Sequence, residues 1–370
     1  MVAGEVLTIG RVVAGGAGLA READGRVVFV DGALPGEAVR VRITERKRDF
    51  ARAVATEIVE ASPDRVTPPC PHLAAGCGGC SWQHVAPTAQ LALKADIVRD
   101  ALRRTAKLPD ADVTVAGAVP AWAYRTTLRL ATSPDGRLGL RRHASHDVVT
   151  LDDCPVAHPA LSALLPEVRS AGGDVTLRVS AATGEVTARG ETTVDMPGHL
   201  TETVSGVDLR VSAGSFFQSG PAAAELLVGE VGPQHGAVVD AYGGIGLFAA
   251  TVASGADDVV VVESSPSACA DARVNVPTAT VVERRVERWR PTPADVVVAD
   301  PARPGLQRDG VATVAGTGAS RIVLISCDPV SCARDVALLA SRGYGLRRAR
   351  VLDLFPHTAH VEVVSVLERD

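Results

Sequence analysis

The 370-residue chain is poor in aromatics (3%), in methionine and in lysine, and no long apolar run interrupts it. Without a stretch of ~18 apolar residues, no membrane-spanning helix is expected. Met1-Val2-Ala3-Gly4-Glu5 has neither a basic n-region nor an apolar h-region, so a secretory signal peptide is not expected either. Seven cysteines in a chain of this kind read as reduced thiols serving metal binding or catalysis, not as disulfides. A cytoplasmic, monomeric protein is expected. The net charge of −5 also lacks the overall basic balance of many nucleic-acid binders, so positive charge has to be sought locally. It gathers at Arg40, Arg42, Arg46-Lys47-Arg48 and Arg52, and again between Lys94 and Arg142.

Alanine, valine, glycine and arginine are abundant, and the length calls for two or three domains. Residues 1–60 read as short strands parted by glycines: Val6-Leu7-Thr8-Ile9, Val27-Val28-Phe29-Val30, Ala38 to Ile43 and Ala51 to Thr56. Leu34-Pro35-Gly36-Glu37 supplies a turn, and the whole suggests a small barrel of the oligonucleotide-binding kind. Prolines at 63, 68, 69 and 71 mark a linker. A helix is expected over about 86–106, with Leu91, Val98 and Leu102 inward and Arg99, Arg103 and Arg104 outward. The rest of a middle domain, residues 61–211, alternates like antiparallel strands, with hairpin turns at Asp135-Gly136 and Thr183-Gly184. From residue 212 to 370 the texture changes. Continuous apolar strands ending at Asp240, Glu263, Asp300 and Ser326 alternate with helical segments, which predicts an α/β fold with a doubly wound, Rossmann-like sheet. Ligands of such sheets bind outside the carboxyl ends of the strands.

Those strand ends carry the chemistry. Cys327 leaves one strand in Ser326-Cys327-Asp328-Pro329, and Glu362 opens the last one in His360-Val361-Glu362. A thiol that adds to C6 of a pyrimidine and a carboxylate that later takes the C5 proton are what alkylation at C5 requires. Asp240-Ala241-Tyr242-Gly243-Gly244-Ile245-Gly246 is a strand-to-helix turn, with Ala249 where the dinucleotide fingerprint has its third glycine. Glu263 is placed to accept ribose hydroxyls. Acids at 240, 263 and 300 suit the cationic S-adenosylmethionine at least as well as NAD. Cys70, Cys77 and Cys80, with Cys154 downstream, form a four-thiolate set for zinc or an iron–sulfur cluster, and spacing alone leaves both open. Four protein ligands would close such a site and give it a structural or RNA-positioning role. Cys269 and Cys332 read as small buried residues and His357 as ordinary.

Asp31-Gly32-Ala33-Leu34-Pro35-Gly36-Glu37 resembles the TRAM domain, an RNA-binding barrel. With Ser215-Phe216-Phe217-Gln218, Asp240-Ala241-Tyr242-Gly243-Gly244, Asp300-Pro301-Ala302-Arg303-Pro304-Gly305, Ser326-Cys327-Asp328-Pro329, His360-Val361-Glu362 and the four cysteines, nearly the whole chain resembles the RNA uridine-5-methyltransferases of 23S rRNA and tRNA. The resemblance implies Cys327 as nucleophile and Glu362 as base. It implies an S-adenosylmethionine site lined by Gln218, Tyr242, Gly244, Glu263 and Asp300. It also implies a four-iron, four-sulfur cluster (4Fe-4S) on Cys70, Cys77, Cys80 and Cys154, which favours iron–sulfur over zinc. RNA would be the partner, 23S rRNA ahead of tRNA, with Trp122, Tyr124, Arg125 and Arg129 as candidates to stack on it or grip it. Two positions depart from the family pattern: Gly220 stands for the usual Asn, and Gly243 for the usual Cys. The alternatives are RNA cytosine-5 methylation by the same thiol chemistry, or an RNA-binding iron–sulfur protein that has lost methyl transfer.

Overall fold

The computed structural model describes residues 5–369. The reading of Met1–Gly4 as free of a leader therefore lies outside the described residues. Among the described residues no helix is long and apolar enough to cross a membrane.

Residues 5–60 form six strands in the order Val6–Thr8, Ala38–Arg46, Phe50–Glu60, Val27–Asp31, Gly18–Arg21, Arg11–Val12. The two end strands are nearly one: only Ile9 and Gly10 separate them, and the Gly10 amide donates to the Leu19 carbonyl at 2.9 Å. One segment thus pairs with both sheet edges and closes a barrel, which removes exposed edges. Its core is aliphatic, with Leu7, Ile9, Val28, Val30, Val39 and Val41 at its centre. The expected turn at Leu34–Glu37 carries a buried carboxylate: Glu37 accepts from the Leu34 amide (2.8 Å) and from Arg65 of the linker (2.8 Å), fixing the exit of the chain.

A five-stranded antiparallel sheet follows, ordered Val148–Thr150, Leu138–Arg141, Thr127–Thr132, Asp174–Val179, Val186–Arg189. Both expected hairpin turns are there, with Gly136 and Gly184 at φ of 80° and 77°, the left-handed region that glycine enters freely. The hairpin of His199–Val204 and Val207–Ser212 completes this part.

Eight strands build the largest sheet, in the order Thr280–Glu283, Asp258–Glu263, Ala237–Ala241, Val296–Ala299, Arg321–Ser326, Glu362–Arg369, Tyr344–Asp353, Val113–Ala118. The last strand corrects the division at residue 211: Val113–Ala118 lies within the stretch assigned to the middle domain, yet it pairs in parallel with Tyr344–Asp353. An alternating strand pattern carries no mark of so distant a partner. The helix Pro87–Ala101 also packs against this sheet, continued by a π-helical turn over Leu102–Ala106. Its Lys94 is fully buried and donates to Asp353 at 2.6 Å, while Arg99 and Arg103 turn outward to Asp96 and Asp100.

Candidate active site

Strand register decides which residues meet. Ala241 lies opposite both Val262 and Ala299, and Ala299 lies opposite Leu324. Glu263, Asp300 and the loop after Ala241 therefore emerge side by side. Ser326 opposes Val363 in the antiparallel pair, so Cys327 leaves its strand next to where Glu362 enters the neighbouring one. These residues, with Gln218, Tyr242 and Gly244, line one pocket of about 690 Å³. That is within the usual size of a small-molecule site. All seven residues expected to serve the catalytic and cofactor roles thus share a single cavity.

The glycine loop is shaped by backbone positions that ordinary residues avoid. Gly244 and Gly246 have φ of 54° and 83°, and Tyr242 itself has φ of 60°. A bulky residue held in the left-handed region costs about 1–2 kcal/mol. Tyr242 lines the pocket, and its hydroxyl donates to Glu287 at 2.8 Å. Glu263 fastens the loop from below: one carboxylate oxygen accepts from the Gly244 amide (3.1 Å), the other from the Ser264 and Ser265 amides (both 2.6 Å). An ionised carboxylate has about four acceptor positions, so room remains for further donors.

Gln218 is buried and donates through Nε2 to Asp300 at 3.3 Å. The loop that carries it is clamped from two sides. Arg178 donates to the Ser212 and Ser215 carbonyls (3.1 and 2.9 Å), and the fully buried Asp271 accepts from the Ser212 amide (2.8 Å) and the Ser215 hydroxyl (2.6 Å). Sequence reading missed both clamps, because each lies in an ordinary strand or helix far along the chain.

Acids crowd this pocket. Glu362 is only 4% exposed, and one of its oxygens has no hydrogen-bond partner. Burial, then the neighbouring Asp300, pushes its carboxyl well above the ordinary range. Burial likewise raises Asp300, against a lowering contribution from Gln218. The Cys327 thiol is pushed up to about 11 by burial and by Glu362 and Asp300, with Arg303 pulling the other way. Asp240, fully buried beneath the loop, is raised to about 7 by burial, although the Ala249 amide donates to it at 3.0 Å. Asp300 and Glu362 in the pocket wall, with Asp240 behind the loop, form no ion pair among the described residues, an arrangement that suits a cationic ligand. The Arg303 guanidinium contacts His360 Nδ1 at 3.0 Å, and burial and Arg303 hold that imidazole down to about 4, so it is neutral and accepts.

The other sulfur site is separate. Cys70, Cys77, Cys80 and Cys154 line one cavity of about 50 Å³, walled by Leu128, Leu140, Leu151 and Val156. The glycines between them are needed: a Cβ at Gly79 would come 2.8 Å from the Leu140 side chain, and one at Gly78 would come 2.9 Å from the Arg141 carbonyl. All four thiols are free, but among the described residues no group of three or more His, Cys, Asp or Glu is arranged to hold a single metal ion. Arg125 stands between the two sites and lines both.

The remaining candidates divide. Cys269 and Cys332 are buried in the aliphatic cores, in keeping with a plain packing role. His357 is buried and holds Gln90, so it is structural. Trp122 stacks on His357 with ring centroids 4.1 Å apart, Tyr124 is buried, and Arg129 pairs with Asp174 at 2.9 Å. Of the four proposed RNA contacts, only Arg125 therefore reaches the pocket. Both departures from the family pattern have a packing reason. A Cβ at Gly220 would come 2.5 Å from the Tyr124 carbonyl, and one at Gly243 would come 2.7 Å from Val261 and 2.9 Å from Asp240.

The TRAM domain matches residues 6–56, and the family described as tRNA (Uracil-5-)-methyltransferase matches residues 286–370. A Streptomyces avermitilis protein described as an uncharacterized RNA methyltransferase is 36% identical over 97% of this chain and 97% of its own length. The 23S rRNA (uracil(1939)-C(5))-methyltransferase RlmD of Methylococcus capsulatus is 36% identical over 94% of this chain and 93% of its own. Among solved structures, the Pyrococcus abyssi tRNA (uracil-54, C5)-methyltransferase in complex with S-adenosyl-L-homocysteine has the same fold. Its TM-score is 0.76 at 24% identity, covering 98% of this chain and all of that one.

Proposed function

The chain belongs to the TRAM-domain RNA (uracil-5-)-methyltransferase family, a class I S-adenosylmethionine-dependent enzyme family, and from that premise we propose that it forms 5-methyluridine in 23S rRNA through a covalent bond from Cys327 to C6 of the target uracil. The observation that carries this reading is the meeting of Cys327, Glu362 and Asp300 in the same pocket as the glycine loop and Glu263. S-adenosylmethionine, when bound, supplies an electrophilic methyl group on a sulfonium. Glu263 would hold its ribose, Tyr242 and Gly244 would line it, and the raised carboxyls of Asp240 and Asp300 suit its positive charge.

The protein's own groups then act in sequence. The Cys327 thiol, which burial and the neighbouring acids hold protonated, first gives up its proton to solvent; the thiolate then bonds to C6, and the C5–C6 double-bond electrons make C5 nucleophilic toward the methyl group. Glu362 takes the C5 proton, the double bond re-forms, and the C6–S bond breaks to release the thiolate. Glu362 is buried against Asp300, so its unusually basic carboxylate suits that proton transfer. Gln218 holds Asp300 at the pocket wall. A uridine inside folded RNA must first be extruded, at a cost of roughly a few kcal/mol, which contacts from the barrel and the five-stranded sheet would offset.

The four cysteines fit an iron–sulfur cluster. Their donor set is all thiol and they share one apolar cavity. Cys70, Cys77, Cys80 and Cys154 would hold the cluster, which would pin the Cys70–Cys80 loop to the sheet. An rRNA substrate places the reaction in the cytoplasm. The test compares modified nucleosides of rRNA and tRNA from cells with and without the gene. Loss of one 5-methyluridine from 23S rRNA is expected. Loss of 5-methylcytidine instead, or of 5-methyluridine from tRNA alone, would overturn the substrate assignment.

A further inference from the structure

The turn that follows the edge strand Thr280–Glu283 plays no part in the chemistry above. It reads Arg284-Arg285-Val286-Glu287-Arg288-Trp289-Arg290. Val286 and Trp289 are buried in the core at 1% and 8% exposure, and Val286–Arg288 is one 3₁₀ turn. At three residues per turn, anchoring 286 and 289 on the inner side leaves the positions between them facing solvent. All four arginines are exposed.

Their clustering sets them apart from exposed arginines such as Arg42, Arg189 and Arg342, which lack a carboxylate partner singly among the described residues. Arg46, Arg99, Arg103 and Arg129 are exposed and each pairs with a carboxylate. Among the described residues, Arg284, Arg285, Arg288 and Arg290 have no such partner, and the two acids beside them are already engaged. Glu283 pairs with Arg273 at 3.6 Å, and Glu287 accepts from the Tyr242 hydroxyl. Four like charges in seven residues repel one another, so the fold gains nothing from leaving them unpaired.

The turn also sits beside the pocket. The Arg284 amide donates to the Glu263 carbonyl at 2.7 Å, and Glu287 holds Tyr242; both Glu263 and Tyr242 line the pocket. The helix Gln307–Gly316 packs on the turn and adds Arg308, exposed and without an ion pair among the described residues.

We propose that Arg284, Arg285, Arg288 and Arg290 form a docking ridge for the backbone phosphates of the RNA whose base enters the pocket. This rests on the RNA methyltransferase reading. Unpaired guanidinium groups spaced along an anchored turn match a polyanionic chain, and each can bind a phosphate through two parallel hydrogen bonds. Net charge hides the ridge, because acids elsewhere outweigh it.

The test measures binding of transcribed 23S rRNA and of transcribed tRNA across a salt series, with the triple variant Arg284→Gln, Arg285→Gln, Arg288→Gln. The expected result is at least about tenfold weaker binding at moderate salt, with the slope of log affinity against log salt reduced by about 2–3, near one per lost phosphate contact. The triple Arg→Lys variant at the same positions is expected to recover most of the slope. Arg342→Gln serves as the control. It follows the helix Pro329–Ala340, which runs back from the Cys327 end of its strand, so it lies at the opposite end of the sheet. S-adenosylmethionine binding by calorimetry is expected to stay unchanged in all variants, which shows that the fold and pocket are intact. An unchanged slope in the glutamine triple, or an equal loss in Arg342→Gln, would overturn the ridge. A wild-type protein that methylates RNA while the triple variant binds normally sinks the ridge alone; a wild type that binds neither RNA sinks the functional reading with it. Arms that differ between rRNA and tRNA identify which RNA the ridge serves.

Discussion

The pocket around Cys327 and the cavity around Cys80 both bury thiols, and burial pushes both of these thiols up to about 11. Their neighbours differ. Cys327 stands alone among carboxyl groups in a pocket of about 690 Å³, large enough for a cofactor and a base. Cys80 stands with three other cysteines among leucines, in a space of about 50 Å³ that admits no organic substrate. The same functional group, half-buried in both places, is thus expected to serve as a nucleophile in one and as a ligand in the other, with company and volume deciding the role.

Cys327→Ala breaks that contrast most severely. Methyl transfer is expected to fall by at least about 10⁴-fold, the scale on which removal of a covalent nucleophile acts. Cys332→Ala, a change at a buried cysteine five residues on, is expected to leave turnover measurable and to cost stability instead. Methylation assays with labelled cofactor check both.

Glu362→Gln sharpens the division of labour within the pocket. A loss of about 10²–10⁴-fold is expected, the usual range for a positioned base. The enzyme should also become trapped: Cys327 can still add and the methyl group can still transfer, but the C5 proton stays. Gel-shifted protein–RNA adducts with ordinary, unfluorinated RNA would report this.

The two sulfur sites should also separate by loss of metal. Cys80→Ala is expected to abolish any visible charge-transfer absorption of the anaerobically purified protein. Melting should drop by roughly 5–10 °C, if the site contributes a few kcal/mol. Cys327→Ala should keep both. Absorption spectra and thermal melts of the two variants give the answer, and equal absorption in Cys80→Ala would remove the cluster from the account.

The smallest effect expected is in pH. The raised groups Asp240, at about 7, and Glu362 bind protons in the folded protein that they would have lost unfolded. Their contribution to stability is therefore full below the ordinary carboxylate range and fades as pH rises through their raised values, about 7 for Asp240. A cation needs these groups ionised, so S-adenosylmethionine affinity should rise with pH over the same window. Calorimetry at several pH values reads the slope; affinity that falls with pH would contradict the reading of the acids as a cation site.

Much of this was legible in the sequence because the relevant signals are local. Strand ends at Asp240, Glu263, Asp300 and Ser326 stand out as breaks after apolar runs, and parallel register then brings them together without further information. The hairpin glycines at 136 and 184 mark their own turns. What stayed hidden is long-range pairing. Val113–Ala118 looks like any alternating strand, and only its distant partner Tyr344–Asp353 assigns it to the catalytic sheet. Asp271 and Arg178 hide for the same reason: a buried charge that fastens a remote loop has no neighbouring motif. Gly220 and Gly243 read in the linear pattern only as departures from the family's usual Asn and Cys. In three dimensions each is the residue that fits against a carbonyl or a packed side chain.

The most direct measurement is peptide mapping of the complex formed with RNA containing 5-fluorouridine and S-adenosylmethionine. Fluorine at C5 cannot leave as a proton, so the account predicts a stable covalent adduct on the peptide that contains Cys327, and none with Cys327→Ala. An adduct on any of Cys70, Cys77, Cys80 or Cys154, or one that persists in Cys327→Ala, would contradict it.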